Sequence, residues 1–349
     1  MTAPVDAPSE VRRGEELDLS RLQSFLRERL GVNESIELRQ FPKGHSNLTY
    51  LVRVGHREWV LRRPPFGSQV KGAHDMGREY RILSKLSAAW PKAPRPLVHC
   101  DDPDVLDAPF YLMERIEGVI VRTELPAGLP LRAICKRFIE TLAELHTIDY
   151  QSAGLADLGK PQGYNERQVM GWSRRYENAQ TEPSKEIEEL GAWLRARIPS
   201  ESKASLVHND YKLDNVVLAP KEPSRIIGVL DWEMSTIGDP LMDLGTTLAY
   251  WVEADDPEEL RRIAFGPTMC EGAPTRRELS LLYADKTGSD VSNALYYYAF
   301  GLFKTAVVLQ QIHYRYRQGL TSDPRFASLG ESARILARAG IRAIEAGSI

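Results

Sequence analysis

The chain has 349 residues, 42% of them hydrophobic, enough to bury a sizeable core in one large domain or two lobes. Lysine and arginine number 45 against 48 acidic residues, and a net charge of −3 gives no general electrostatic basis for binding nucleic acid or an anionic membrane. Cys100, Cys135 and Cys270 are far apart and odd in number, which fits neither a disulfide framework nor a CxxC metal site and points to a reducing, cytoplasmic compartment.

Residues 1–18 mix acids with proline and contain no apolar run, so they read as a mobile tail and not as a signal peptide. LSRLQSFLRERLG, from Leu19, is amphipathic and stops at Gly31, the pattern of a short helix. ESIELRQF, LTYLVRV and EWVLRRP predict three strands, and Gly55 and His56 form the tight turn joining the last two, hence an antiparallel sheet. A helix over 73–89 follows and is ended by WPKAPRP. LVHCDD and PFYLMERIEG add two strands, and ERIEG, residues 114–118, is the expected crossover out of a first unit over 19–115.

The second unit, 116–349, is mainly helical. Leu131, Ile134, Phe138, Leu142 and Leu145 recur at three- and four-residue spacing on one face. Further helices are predicted over 166–179, 185–197, 240–252, 276–287, 291–317 and 326–346. NALYYYAFGLFKTAVVLQQ, Asn293 to Gln311, approaches the length of a membrane span, but Lys304 interrupts it and HYRYRQ follows, so it reads as a central helix of this unit. The expected class is α+β, with a small antiparallel-sheet N-terminal lobe and a large, mainly helical C-terminal lobe; such chains usually bind ligands in the cleft between their parts.

Chemistry concentrates in LVHNDYKLDNVVL, Leu206 to Leu218, where six polar or ionisable residues fall between two apolar runs. Beside a core such groups must be paired, bind something, or face a cleft. The spacing His-x-Asp-x-Lys-x-x-Asn is that of the catalytic loop of protein kinases, with Asp210, Lys212 and Asn215 in register. IIGVLDWEMSTIGDPLMDLG places Asp231 at the end of a β-rich run, where it can face the loop. Transfer of a γ-phosphoryl group needs a divalent metal, and Mg²⁺ prefers hard oxygens such as those of Asn215 and Asp231. Asp210 suits the base that orients and deprotonates the attacking hydroxyl, and Lys212 suits charge stabilisation on the transferred group. His208 reads as a structural hydrogen-bonding residue of the loop.

Upstream, FPKGHSNLTYLV offers a polar turn whose backbone N–H groups, with Ser46 and Asn47, suit nucleotide phosphates; Gly44 is its sole glycine, so no GxGxxG pattern is present. VLRRPP places Arg62 where a nucleotide kinase carries its phosphate-binding cation, and GREYRIL places Glu79 as its ion-pair partner on the next helix. The competing reading is an exposed strand arginine and a surface glutamate. Asp239, Pro240 and Asp243 suit a helix start, and EADDPEE, residues 253–259, suits a solvated linker and the start of a helix.

These motifs carry a resemblance. HNDYKLDN followed by VLDWEMSTIGDPLMDLG resembles the aminoglycoside phosphotransferase and choline kinase superfamily, whose fold is similar to that of protein kinases. GHSNLTYLV, WVLRRPP, REYRIL and YYYAFGLFKTAVVLQQIHYR resemble more narrowly the branch related to the kinase-like domains joined to acyl-CoA dehydrogenases, and the likeness runs from about Leu19 to Ala346. It implies a bilobal protein-kinase-like fold with a five-stranded N-terminal sheet and ATP, or GTP, as phosphate donor. It also implies adenine at Glu114 to Ile116, Asp210 as base, Asn215 and Asp231 as Mg²⁺ ligands, and Arg62 with Glu79 on the phosphate side. Arg62 departs from the lysine of many relatives.

The resemblance leaves the acceptor open among small-molecule hydroxyls, with a hydroxyacyl compound and a functional link to acyl-CoA dehydrogenase as one expectation and an aminoglycoside as another. A carboxylate or CoA-bearing acceptor favours basic and aromatic groups, toward which Tyr296, Tyr297, Lys304, His313 and Arg315 lean. The reading from another class is a non-catalytic nucleotide-binding pseudokinase or scaffold, motivated by Arg62 and the glycine-poor turn. A protein kinase is disfavoured, since GDPLMDLG follows DWE directly with no DFG or APE sequence.

Overall fold

Five strands near the N-terminus form one antiparallel sheet in this computed structural model, which describes residues 5–41, 47–66, 75–321 and 323–349. They are β1 (Ile36–Gln40), β2 (Leu48–Val54), β3 (Arg57–Arg63), β4 (Pro96–Cys100) and β5 (Phe110–Glu114), in the order β1-β2-β3-β5-β4. Gly55, at φ 56°, supplies the left-handed turn of the β2–β3 hairpin, a conformation that costs glycine little. Helix α1 (Leu19–Leu30) starts where the Asp18 carboxylate accepts from the Ser20 and Arg21 N–H groups and stops at Gly31, φ 67°. Its Leu22 and Leu26 pack with Tyr50, Val52, Leu61, Phe110 and Leu112 in a core from which water is excluded. Helix α2 (Met76–Ala89) is capped by Asp75, and a short helix α3 (Pro103–Leu106) begins with proline at its first turn.

The remaining helices are α4 (Leu131–His146), α5 (Tyr164–Ala179), α6 (Lys185–Arg195), α7 (Pro240–Ala249), α8 (Glu258–Arg262), α9 (Arg276–Thr287), α10 (Ala294–Arg317) and α11 (Leu329–Ala346). The last begins three residues later than the sequence pattern suggests, because Asp323 and Pro324 start a 3₁₀ turn over Pro324–Ser328. Four further strands are interspersed: β6 (Ser205–Val207) pairs antiparallel with β9 (Thr236–Gly238), and β7 (Val216–Ala219) pairs with β8 (Glu222–Val229).

The described residues divide into two compact units. The first holds those up to Ile120 with Ser152–Leu155 and Val217–Glu233; the second holds Val121–Gln151, Ala156–Val216 and Met234–Ile349. The β7–β8 hairpin joins the first unit through paired hydrogen bonds of Val119 and Leu218, 2.9 and 2.8 Å, and through Val229 N–H to Lys92 O, 2.8 Å. Asp231 therefore belongs to the same unit as Arg62 and Glu79, although it lies far along the chain.

In the second unit α10 packs on α5, α6, α7 and α11. No helix among the described residues is long and apolar enough to cross a membrane. Helices α7 and α10 meet backbone to backbone: a Cβ on Gly245 would lie 2.1 Å from Tyr297 O, and one on Gly301 would lie 2.2 Å from Gly245 O. Neither backbone can yield without moving its helix, so Gly245→Ala is expected to cost about 1–3 kcal/mol or more by overpacking. Urea unfolding of the variant checks this, and wild-type stability would show that the helices have slack.

The acidic run 253–259 is exposed at Asp255 and Glu258 and starts α8 at Glu258, as a solvated linker and helix start should, but two of its members turn inward. Glu253 and Asp256 hold Arg276, itself 6% exposed, with the Asp256 oxygens at 2.8 Å from both terminal guanidinium nitrogens. Arginine's planar fork makes that bidentate pairing available.

Candidate active site

The first unit assembles a cation between carboxylates. Arg62 sits on β3 opposite Thr49 of β2 and Tyr111 of β5, so its side chain leaves the middle of the sheet. One terminal nitrogen donates to Glu79 Oε1 at 2.6 Å and the other to Asp231 Oδ1 at 3.0 Å, with Glu233 Oε2 4.0 Å away. The Arg62 and Glu79 side chains are 8% and 1% exposed, which rules out the surface-pair reading. Burial opposes the Arg62 charge, but Glu79 and Asp231 more than offset it and hold the guanidinium well above its ordinary pKa. Burial pushes the Glu79 carboxyl up while Arg62 draws it back.

Asp231 has φ 67°, in the left-handed region that a non-glycine residue seldom adopts, just past the end of β8. The turn is braced by Trp232, whose N–H donates to Glu79 Oε1 at 3.1 Å and whose indole donates to Val229 O at 2.8 Å. Asn47, 2% exposed, donates to Glu233 Oε2 at 2.7 Å, and Arg78 donates to Glu233 O at 2.8 Å. Ser46 lies outside the described residues. Glu114 ends β5, pairs with Arg95, and donates its N–H to Arg95 O at 2.9 Å. Ile116 packs on Gly228 of β8, where a Cβ would come within 2.8 Å of it.

The second unit carries the loop between β6 and β7. Asp243, on the first turn of α7 and fully buried, accepts from His208 N–H at 2.6 Å and Asn209 N–H at 2.8 Å. His146 lies 3.1 Å from the same carboxylate and 2.7 Å from Tyr283 Oη. Burial raises the Asp243 carboxyl, but the hydrogen bond and charge of His146, with the charge and N–H of His208, bring it below its ordinary value. His208 is buried, and its Nδ1 accepts from Asp210 N–H at 3.2 Å, the loop-bracing role its sequence suggests. Asn209 takes φ 65°.

This frame presents Asp210. Its Oδ1 accepts from Tyr250 Oη at 2.7 Å, and its Oδ2 accepts from Asn215 Nδ2 at 3.0 Å, with Lys212 Nζ at 3.3 Å. The turn Leu213–Asn215 closes through Asn215 N–H to Lys212 O, 3.0 Å, which returns the Asn215 side chain to Asp210. Lys212 also lies 3.8 Å from Asp214 Oδ1 and 5.4 Å from the Tyr250 ring centre. Burial and the neighbouring Asp210 charge keep the Tyr250 phenol well above its ordinary pKa, so it remains a donor.

Each unit thus gathers its own share of the expected residues: Asn47, Arg62, Glu79 and Asp231 in the first, and Asp210, Lys212 and Asn215 in the second. Sequence reading missed Tyr250, Glu233, and the grip of Asp243 on the loop; only the fourfold spacing of Asp239 and Asp243 on one helix face hinted at the last. A carboxylate oriented by two donors can accept a proton from a hydroxyl, and the ammonium beside it can steady an incoming anion. Because Asn215 spends its amide nitrogen on Asp210, its carbonyl oxygen is turned away from that contact. Taken separately, the Asn215 amide oxygen in the second unit and the Asp231 carboxylate in the first are hard oxygens of the kind Mg²⁺ prefers.

Comparison with known proteins shows the family of the chain. The phosphotransferase enzyme family model, APH, matches residues 37–282. Mouse acyl-CoA dehydrogenase family member 10 is 34% identical over 332 residues, covering 93% of this chain and 31% of that protein. The chain spans less than half the length of the curated relatives it matches. A crystal structure from Ralstonia eutropha JMP134, of a protein provisionally named an aminoglycoside phosphotransferase, is 33% identical and covers 93% of this chain and 97% of its own, with a TM-score of 0.77. Choline kinase from Cryptosporidium parvum, 17% identical, shares the fold with a TM-score of 0.65 over 95% of this chain and 97% of its own.

Proposed function

Because the chain belongs to the APH family of phosphotransferase enzymes, we propose that it moves the γ-phosphate of ATP or GTP to a hydroxyl of a small molecule in the cytoplasm, with Asp210 as the base. The observation that carries this reading is the Asp210 carboxylate itself, fixed by Tyr250 and Asn215 with Lys212 alongside. Asp210 orients the acceptor hydroxyl and takes its proton as the new O–P bond forms and the bond from the γ-phosphorus to the departing ADP or GDP breaks, and Lys212 stabilises charge on the transferred group. Arg62, set by Glu79, holds the donor phosphates; Asn47 is assigned to the phosphate side, as Ser46 is by its sequence position, and Glu114 to Ile116 to the adenine side. Mg²⁺, with Asn215 and Asp231 as the residues that would hold it, supplies neutralisation of phosphate charge when bound.

The acceptor favoured is a hydroxyacyl compound, supported by the likeness to proteins named as acyl-CoA dehydrogenase family members, which also motivates a functional link to such a dehydrogenase. The provisional name of the Ralstonia relative supports an aminoglycoside as the alternative. A non-catalytic nucleotide-binding reading draws on one observation, the hold of Arg62 on the carboxylate expected to meet the metal.

A single experiment separates these: ³¹P NMR of Mg-ATP and Mg-GTP with hydroxyacyl-CoAs, hydroxy acids, choline, sugars and aminoglycosides, beside thermal stability with each nucleotide. The expected result is nucleotide stabilisation, as mass action requires of a ligand that binds the folded state, plus a new phosphate ester on a hydroxyacyl acceptor. An ester on an aminoglycoside alone would move the assignment to that class. Stabilisation with no ester on any acceptor would favour the non-catalytic reading.

A further inference from the structure

Lys304 lies in the middle of α10, 3% exposed, and its Nζ donates to the backbone O of Asn209 at 2.5 Å. A buried ammonium is costly unless paired, so its partner matters. Nζ lies 5.8 Å from the centre of the Trp172 ring, a cation–π distance. Asp243 on α7 and Asp210 on the loop favour its charge, and Arg175 on α5 opposes it; among the described residues α6 and α11, which also pack on α10, add no charge to this set.

Every other polar group of Asn209 is committed as well. Its N–H donates to Asp243 Oδ1 at 2.8 Å, its side-chain oxygen accepts from Tyr164 Oη at 3.1 Å, and its side-chain nitrogen donates to Met234 O at 3.2 Å. The carbonyl that Lys304 binds belongs to the Asn209–Asp210 peptide, whose N–H donates to His208 Nδ1. That peptide plane sets the direction in which Asp210 leaves the chain, and the φ of 65° at Asn209 is a conformation that needs holding.

We propose that Lys304 is a positioning residue, whose ammonium clamps the Asn209 carbonyl and thereby aims the Asp210 carboxylate. The proposal rests on the reading of Asp210 as base. It replaces the expectation that this lysine meets the acceptor, since its Nζ is enclosed by α5, α7 and the loop.

Burial draws the Lys304 ammonium down to about 8 from 10.5, so the charge is complete below that pH and is lost as pH rises through it. Over the same interval the folded state prefers the neutral amine more than the unfolded chain does, so deprotonation of Lys304 does not itself unfold the protein. A neutral amine still donates, but a charge-assisted bond is about twice as strong as a neutral one.

The test compares wild type, Lys304→Arg and Lys304→Met by kcat against pH, nucleotide KM, thermal midpoint, and hydrogen exchange of the segment 205–213. Wild-type kcat is expected to fall several-fold with a midpoint near pH 8, at unchanged nucleotide KM and with the fold intact. Lys304→Arg, charged throughout, should keep its rate across that pH. Lys304→Met should start about 100-fold lower, the scale on which small misplacements of a reacting group act, with faster exchange over 205–213. Wild-type exchange in Lys304→Met, or an alkaline fall in Lys304→Arg matching the wild type, would overturn the proposal. Absence of phosphoryl transfer by wild type at any pH would sink the reading of Asp210 instead, leaving the exchange comparison to decide on Lys304.

Discussion

Asp210→Asn is expected to lower kcat by about 10²- to 10⁴-fold, the range contributed by a positioned general base, while nucleotide binding persists. The side chain keeps its size, and one oxygen remains to accept from Tyr250. What changes is the second oxygen: an NH₂ group there faces the Asn215 Nδ2 donor and the Lys212 ammonium, so the site loses its proton acceptor and gains a donor opposed to donors. Such an unsatisfied contact costs about 1–3 kcal/mol, a modest local penalty beside the chemical loss. Steady-state kinetics with one phosphorylated acceptor, together with nucleotide-dependent thermal stability, reads both effects. A variant that turns over like wild type would remove Asp210 from the role of base.

Arg62→Met is the second change with a large expected effect. Arg62 is the cation bonded to Glu79 and Asp231, and with it gone the buried Glu79 carboxylate stands near a second negative charge. Breaking a buried pair by removing one member typically costs about 3–5 kcal/mol, and urea unfolding should show a loss of that order. Arg62→Lys keeps the charge but cannot reproduce two divergent bonds from one planar fork, so a smaller loss is expected. In both variants stabilisation by Mg-nucleotide should weaken beyond the change in the unliganded fold. Undiminished stability in Arg62→Met would mean that the pair is incidental, and undiminished nucleotide stabilisation in a folded variant would move the phosphate contact elsewhere.

The parts of this site that were legible in the sequence are those set by local order. Arg62 and Glu79 stand 17 residues apart on a strand and the helix after it, so naming the elements was enough to pair them. Asp210, Lys212 and Asn215 share one turn, and their spacing reports their contacts directly. Tyr250 was illegible as a site residue, and Lys304, read from sequence toward the acceptor, was illegible as a partner of the loop, because they reach Asp210 and Asn209 across 40 and 95 residues, through the packing of α7 and α10. A tyrosine at a helix end and a lysine inside an apolar helix have ordinary packing explanations, and only the folded contacts distinguish them. Tyr296, Tyr297 and His313, read from sequence as leaning toward the acceptor, are buried in the second unit. There Tyr296 bonds Leu194 O at 3.2 Å and His313 Nδ1 lies 3.1 Å from Phe326 O. The left-handed turns at Asn209 and Asp231 were likewise invisible, since neither position carries the glycine that would announce them.

The most direct test of phosphoryl transfer is ³¹P NMR of Mg-ATP with hydroxyacyl-CoA acceptors, run on wild type and Asp210→Asn side by side. Phosphoryl transfer with Asp210 as base requires the γ-phosphate signal to be replaced by a phosphate ester in the wild type, with that conversion slowed by orders of magnitude in the variant. Ester formation at equal rates in the two would contradict the role of Asp210, and no ester in the wild type with any acceptor of the wider panel would contradict the kinase itself.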